Sequence, residues 1–348
     1  MRNDGKVRDV TRRRALATGA TALAVVAAPA IVKAQAALKV TFAQQRGLLY
    51  LPIDMMVSGG VLQKEADKAG LGKIDASVTT LNGPGPVIDA LLSGAVDYGT
   101  TALPSLLTLW GKTRGTPNEV RAVGAISNGA MTLYSINPAV KTIADFSDRD
   151  KIAVPTAKLS FNAMMLQMAA EKLWGDPFRL DRLTVSLGHP DAVAAMAAGF
   201  GKATVSAHVA VQPFTEAGLR FPGAHVVADS REVFGGAITQ ITMPASRRTR
   251  ERNPDLFKVV GAALQESIRV CNADKRASST LWKTAQNAPE GVDELVHLLD
   301  DPGFEFTAQP KRIIFFANFL ERVGQLKVKP AEWKDVFWET SYNQTEEA

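Results

Sequence analysis

The sequence predicts an α/β protein of two lobes, each a sheet with helical crossovers, joined by two crossing hinge strands. Strand-like and helix-like segments alternate from residue 38 to residue 126, and the alternation restarts near Met131 and runs to residue 227. From Arg247 onward the apolar spacing is mostly helical. A parallel strand pair needs a long return connection, so β–α alternation implies parallel sheet covered by helices.

In the first block, Leu38-Lys39-Val40-Thr41-Phe42-Ala43 alternates as a strand, and the polar turn Gln44-Gln45-Arg46-Gly47 follows. Residues 50–62 read as a helix ended near Gly59-Gly60, and residues 74–81 as a strand. Asn82 suits an N-cap, Pro84 and Pro86 suit a first helical turn, and Gly94 ends that helix. Val87, Ile88, Leu91 and Leu92 form its apolar face. A short strand over 95–101, a helix over 103–110 and a strand over 120–126 complete the block.

In the second block, strands are expected over 131–136, 151–154, 182–186, 203–207 and 224–227. Helices are expected over 162–174, 191–198 and 211–217. Met165, Met168, Ala169 and Leu173 share one side of the first of these, which reads as core packing. A further strand covers 237–243. The simplest connectivity leaves the first lobe near Asn128 and returns near Gly235-Gly236. Lobe 1 is then 37–128 plus 236–348, with a helical tail, and lobe 2 is 129–235. A ligand belongs in the cleft between such lobes. The polar end over 339–348 is expected to fray.

Residues 1–36 read as a twin-arginine signal peptide. Thr11-Arg12-Arg13-Arg14-Ala15-Leu16-Ala17 sets arginines before a weakly apolar, Ala-rich run, and Ala34-Gln35-Ala36 supplies the small-x-small cleavage pattern. Cleavage after about Ala36 leaves 312 residues in an extracytoplasmic, periplasmic setting. The removed piece carries seven basic and two acidic side chains, which accounts for the whole net charge of +5. The mature chain is therefore about neutral, and its charge does not favour nucleic acid as a partner. The single cysteine, Cys271, has no internal disulfide partner and sits at a helical apolar position, as a buried inert thiol does.

Three stretches, in order, resemble the nitrate/sulfonate/taurine-type substrate-binding proteins of ABC importers. They are Asn82-Gly83-Pro84-Gly85-Pro86-Val87-Ile88-Asp89-Ala90-Leu91-Leu92-Ser93-Gly94-Ala95-Val96-Asp97, then Lys151-Ile152-Ala153-Val154-Pro155 with the helix at Ser160, then Ser206-Ala207-His208 with Gln212-Pro213-Phe214. The resemblance covers most of residues 38–325 and rests on order and spacing, not on one motif. It implies a periplasmic-binding-protein fold of type II and a small solute as ligand. It also implies delivery to an ABC permease in the inner membrane, with the receptor working as a monomer.

Ligand sites in open α/β sheets lie at strand carboxyl ends, where helix amino termini offer unpaired N–H groups. Gln45, Arg46 and Tyr50 follow the first strand; Arg46 either pairs a carboxylate or sulfonate in bidentate fashion or is a solvated surface arginine. Asn82 either touches ligand or only caps its helix, and the same choice holds for Thr100 and Thr101. Ser160, Phe161 and Asn162 open the long helix of the second lobe, with Ser160 as cap and ligand donor and Phe161 over an apolar part. Ser127 and Asn128 lie at the hinge. His189 begins another helix and His208 follows a strand; each is a candidate contact or a structural histidine.

Catalytic signatures are missing from the string: no H-E-x-x-H, no cysteine cluster, no G-x-S-x-G and no P-loop. No metal or cofactor is expected. The favoured function is a non-enzymatic solute receptor for a small anion. The alternatives are an enzyme on the same fold, of the pyrimidine-precursor synthase kind, and a sensory binding protein.

Overall fold

A computed structural model describes Met1 and residues 37–346. The signal-peptide reading falls outside the described residues. Among the described residues, two sheets form.

The first sheet holds β1 (Leu38–Gln45), β2 (Ile74–Leu81), β3 (Tyr98–Gly99), β4 (Thr101–Ala102) and β5 (Val120–Gly129). The second holds β6 (Thr132–Ser135), β7 (Ile152–Val154), β8 (Thr184–Ser186), β9 (Ala207–Ala210) and β10 (His225–Asp229). The chain then rejoins the first sheet with β11 (Ile241–Ser246) and β12 (Phe304–Phe306). The first sheet runs β12-β5-β11-β3-β1-β2 with β4 beside β11, and the second runs β10-β6-β9-β7-β8. Each sheet and its helices make one lobe.

Only part of each sheet has the expected parallel character. β2, β1 and β3 are parallel, as are β8, β7 and β9. β11 pairs antiparallel with β5, β3 and β4, and β6 pairs antiparallel with both β9 and β10. The two segments that cross between lobes are the reason. β5 carries the chain out and β11 brings it back, so they must run in opposite directions. The crossings are tied together, with Ser230 N–H donating to Met131 O and Met131 N–H donating to Ser230 Oγ.

Several elements differ from expectation. Gly60, at φ 74°, ends one helix (Leu51–Val57) and starts another (Val61–Lys68), because its missing Cβ permits the left-handed turn. The strand expected over 95–101 is split into β3 and β4. The strand expected over 203–207 lies instead at 207–210, so His208 is inside it rather than after it. The segment 304–306 adds an unforeseen edge strand against β5. The polar end expected to fray is bonded to the body of the protein at several points. Thr340 and Ser341 hydroxyls both donate to Val123 O, and Ile313 N–H donates to Glu346.

The cores follow from the patterning. Phe42 of β1 stacks on Tyr98 at 5.1 Å, and Phe257 of the long helix Pro254–Ala273 packs beside them. In the helix Phe161–Trp174, Met165 is buried as expected, whereas Leu173 is exposed. Trp110, Trp282, Trp333 and Trp338 are buried. Cys271 is fully buried, and that burial pushes its thiol up to about 12.

Candidate functional site

The carboxyl ends of β1, β2, β4, β7, β8 and β9 meet at the seam between the lobes. A central cavity of about 30 Å³ lies there, lined by Gln45, Tyr50, Ser105, Ser160, His189 and Gln240 among others. That volume is about one water's share of the liquid, so the lobes stand nearly shut. Two larger hollows continue it. A mouth of about 180 Å³ adds Arg46, Asn82 and Gly188, sharing Gln45 and His189 with the centre. On the other side, a mostly apolar hollow of about 330 Å³ adds Ile88, Leu92, Leu159 and Met164, sharing Pro84, Ser105 and Ser160.

Four helices begin at these cavities. They are Pro84–Ser93, Leu103–Thr113, Phe161–Trp174 and His189–Met196. Each presents the positive end of its dipole to the cleft. Prolines in the first turns of three of them remove a backbone N–H that would have been unpaired anyway. The helix at Phe161 keeps its full set, and Ser160 Oγ accepts from Ala163 N–H at 3.3 Å as the expected cap.

The predicted residues divide into three groups. Gln45, Tyr50, Ser160, Phe161, Asn162 and His189 come together around the central cavity. Gln45 Nε2 donates to the Tyr50 hydroxyl at 2.9 Å, and Asn162 Nδ2 donates to Val209 O at 2.8 Å. Phe161 is buried, stacked on Phe234 and edge-on to Phe316. Arg46 and Asn82 stand at the mouth. Arg46 Nη2 lies 3.9 Å from Glu290 Oε2, a loose ion pair.

Thr100, Thr101, Ser127, Asn128 and His208 do not line these three cavities, and Asn82, at the mouth, has another role than expected. Asn82 is not the helix cap; Gly83 takes that place, and Asn82 Nδ2 instead reaches across to Asp191. Thr100 and Thr101 are buried, Thr101 paired with Thr242 of β11, and neither caps the following helix, whose cap position is Ala102. Ser127 Oγ donates to Leu49 O within the first lobe. Asn128 donates to Glu305 and lines a separate small hollow at the hinge with Phe161 and Phe234. His208 is fully buried in β9, behind His189.

Sequence reasoning missed Ser105, Gln240 and Tyr134. Gln240 is a polar residue within the segment 237–243 expected as a strand, and that was its signal; it stands just before β11. Its side-chain oxygen is buried without a partner. Tyr134 had no signal, because a tyrosine in a buried strand reads as core.

The electrostatics at the centre are those of neutral dipoles. Burial lowers His189 to about 4 and, with His189 beside it, holds His208 well below the usual imidazole range. Among the described residues, no Asp, Glu, Lys or Arg lines the central cavity. Among the described residues no group of three or more His, Cys, Asp or Glu is placed to hold a metal. A larger hollow, about 600 Å³ around Asp150 and Phe200, lies elsewhere on the second lobe, and its Asp150 carboxylate is already bonded by Ser147, Asn137 and Ser206.

Protein-family profiles and curated protein sequences give no match to this chain. Solved structures do. The periplasmic nitrate-binding protein NrtA from Synechocystis PCC 6803 superposes with a TM-score of 0.71, covering 88% of each chain at 13% identity. The alkanesulfonate-binding protein SsuA from Xanthomonas axonopodis pv. citri, bound to MOPS, gives a TM-score of 0.66 over 86% of this chain and 98% of that one, at 17% identity. The aliphatic sulphonate binding protein SsuA from Escherichia coli gives 0.62 over 88% and 99%, at 20% identity. The chain has the periplasmic-binding-protein fold. In a periplasmic-binding-protein fold the two interrupted sheets and the seam between them are one design: the seam is where strand ends from both lobes face each other.

Proposed function

We propose that this protein is the extracytoplasmic solute-binding component of an ABC-type importer. It captures a small anion, of the sulfonate, nitrate or carboxylate kind, between its lobes and delivers it to a membrane permease. The observation that carries this reading is the convergence of four helix amino termini on a cavity whose centre has no charged side chain. An anion held there is stabilised by aligned N–H dipoles and by neutral donors such as Ser105, Ser160 and Tyr50. A fixed cation is not needed, and the absence of a full ion pair favours release as well as capture.

In this reading Gln45, Tyr50, Ser160, Phe161, Asn162 and His189 contact ligand, and Arg46 and Asn82 guard the mouth. Thr100, Thr101, Ser127, Asn128 and His208 support the site from behind. Lobe 1 comprises 37–128 with 236–348 and lobe 2 comprises 129–235. Ligand bridging both lobes stabilises the closed form, which the permease reads. The protein acts as a periplasmic monomer after removal of residues 1–36, exported by the twin-arginine route.

A thermal-shift screen of the purified protein against methanesulfonate, taurine, nitrate and aromatic carboxylates tests this. A saturable rise in Tm with one anion and no turnover is expected. Conversion of a bound compound to product would replace the reading with an enzymatic one. Replacing Arg12 and Arg13 together with Lys is expected to leave the precursor in the cytoplasm; normal export would reassign the route.

A further inference from the structure

Three aromatic side chains form a line from the core of the second lobe to the cleft. Tyr134 of β6 and His208 of β9 are both fully buried, and Tyr134 Oη lies 3.1 Å from His208 Nδ1. His208 Nε2 lies 2.9 Å from Nδ1 of His189, the first residue of its helix. His189 is held flat against Phe214, with centroids 5.5 Å apart and planes 17° apart. It lines both the central cavity and the mouth.

Proton counting fixes the direction of this chain. A neutral imidazole has one N–H and one acceptor nitrogen. In one arrangement Tyr134 O–H donates to His208 Nδ1, His208 Nε2–H donates to His189 Nδ1, and His189 keeps its proton on Nε2. In the reverse arrangement His189 Nδ1–H donates inward and His208 donates to the tyrosine oxygen. The tyrosine hydrogen would then need another acceptor. Among the described residues Tyr134 Oη bonds only His208. Gly218 is packed so closely that a Cβ there would stand 2.0 Å from that oxygen, which leaves no room for water on that side. A buried donor without a partner is strongly disfavoured. The forward arrangement satisfies every group and leaves His189 Nε2–H as the ring's one free polar atom.

We propose that Tyr134 and His208 are positioning residues that lock His189 as a hydrogen-bond donor toward the cleft. The site therefore selects a ligand that places an acceptor oxygen against His189 and rejects one that places an N–H or O–H donor there. This ligand preference rests on the cleft being the solute site; the lock itself does not. Of the charged groups around the ring, Arg46 lines the same mouth and pairs with Glu290, and Asp191, two residues along the helix, is bonded by Asn82.

The lock is read by nitrogen NMR of the protein labelled in its four histidines, without ligand. His225→Gln and His297→Gln identify the signals of the other two rings. His189 is expected to carry its proton on Nε2 and to keep Nδ1 as an acceptor between pH 6 and 8. Tyr134→Phe removes the hydroxyl and is expected to give His189 mixed tautomers, with about tenfold weaker methanesulfonate binding. A wild-type His189 protonated on Nδ1, or one whose tautomer is unchanged in Tyr134→Phe, overturns the lock. If the tautomers behave as expected while no anion binds either protein, the lock stands and the solute reading of the cleft fails instead.

Discussion

Asn82 Nδ2 donates a 2.7 Å hydrogen bond to Asp191 Oδ2, joining the end of β2 in the first lobe to the first turn of the helix His189–Met196 in the second. Gly188 lets this happen. A Cβ at that position would stand 2.0 Å from Asn82 Oδ1, while its backbone, at φ −58°, is one that alanine adopts freely. Gly188→Ala is therefore a steric probe of the seam and not of backbone strain. Both Gly188→Ala and Asn82→Ala are expected to weaken the shut form by about 1 kcal/mol. The check is the radius of gyration of the solute-free protein by small-angle scattering. It should rise in both variants, and an unchanged radius would mean that other contacts, such as Arg322 with Glu171, hold the lobes together.

Arg46 and Glu290 give a second test. Their 3.9 Å separation is too long for a hydrogen bond, and the Arg46 side chain is 30% exposed. Arg46 thus adds attraction at the mouth, partly cancelled by its neighbour. Arg46→Ala should weaken methanesulfonate binding by about threefold, and Glu290→Gln should strengthen it by a similar factor. Both effects should shrink in high salt, as screening requires. Titration calorimetry at two ionic strengths measures them; equal affinities in all three proteins would remove Arg46 from the ligand path.

The pH dependence of stability has two opposed parts. Asp54 is buried, and desolvation raises it from 3.8 to about 6 despite hydrogen bonds from Gln286 and Gln44. Its folded value lies above its unfolded one, so its contribution is present below pH 4 and is lost as pH rises through 6. A shift of this size corresponds to about 3 kcal/mol. Burial lowers His189 from 6.5 to about 4, so its contribution is present above pH 6.5 and is lost as pH falls through 4. Asp54→Asn should stabilise the protein at pH 7 and leave a steeper loss between pH 6.5 and 4. Urea unfolding across that range reads both; parallel profiles for the two proteins would show that Asp54 is not desolvated as described.

Ser160 and Phe161 are neighbours with different expected costs. Ser160→Ala removes a helix cap, for about 1 kcal/mol. Phe161→Ala empties the contact with Phe234 and Phe316 and should cost about 3–5 kcal/mol. Ser160→Ala should also weaken anion binding without broad unfolding. A loss of binding in proportion to lost stability in both variants would assign Ser160 a structural role alone.

The sequence by itself determined the class of fold, most elements and six of the residues that line the central cavity. Local patterning suffices for these: the alternation of residues 38–43, the capping of Ser160 and the proline-led helices at Pro84 and His189 are short-range facts. Short-range rules failed where a residue's role is set by a distant partner. Asn82 looks like a cap until Asp191 is beside it, and His208 looks like a loop residue until β9 pairs with β6 and β7. The polar end at 339–346 looks free until β5 supplies Val123 O as its acceptor. The order Tyr134, His208, His189 joins positions 74 and 19 residues apart in the chain. Only the packing of two strands and a helix end brings those rings to hydrogen-bond distance, and only burial makes their proton count decisive.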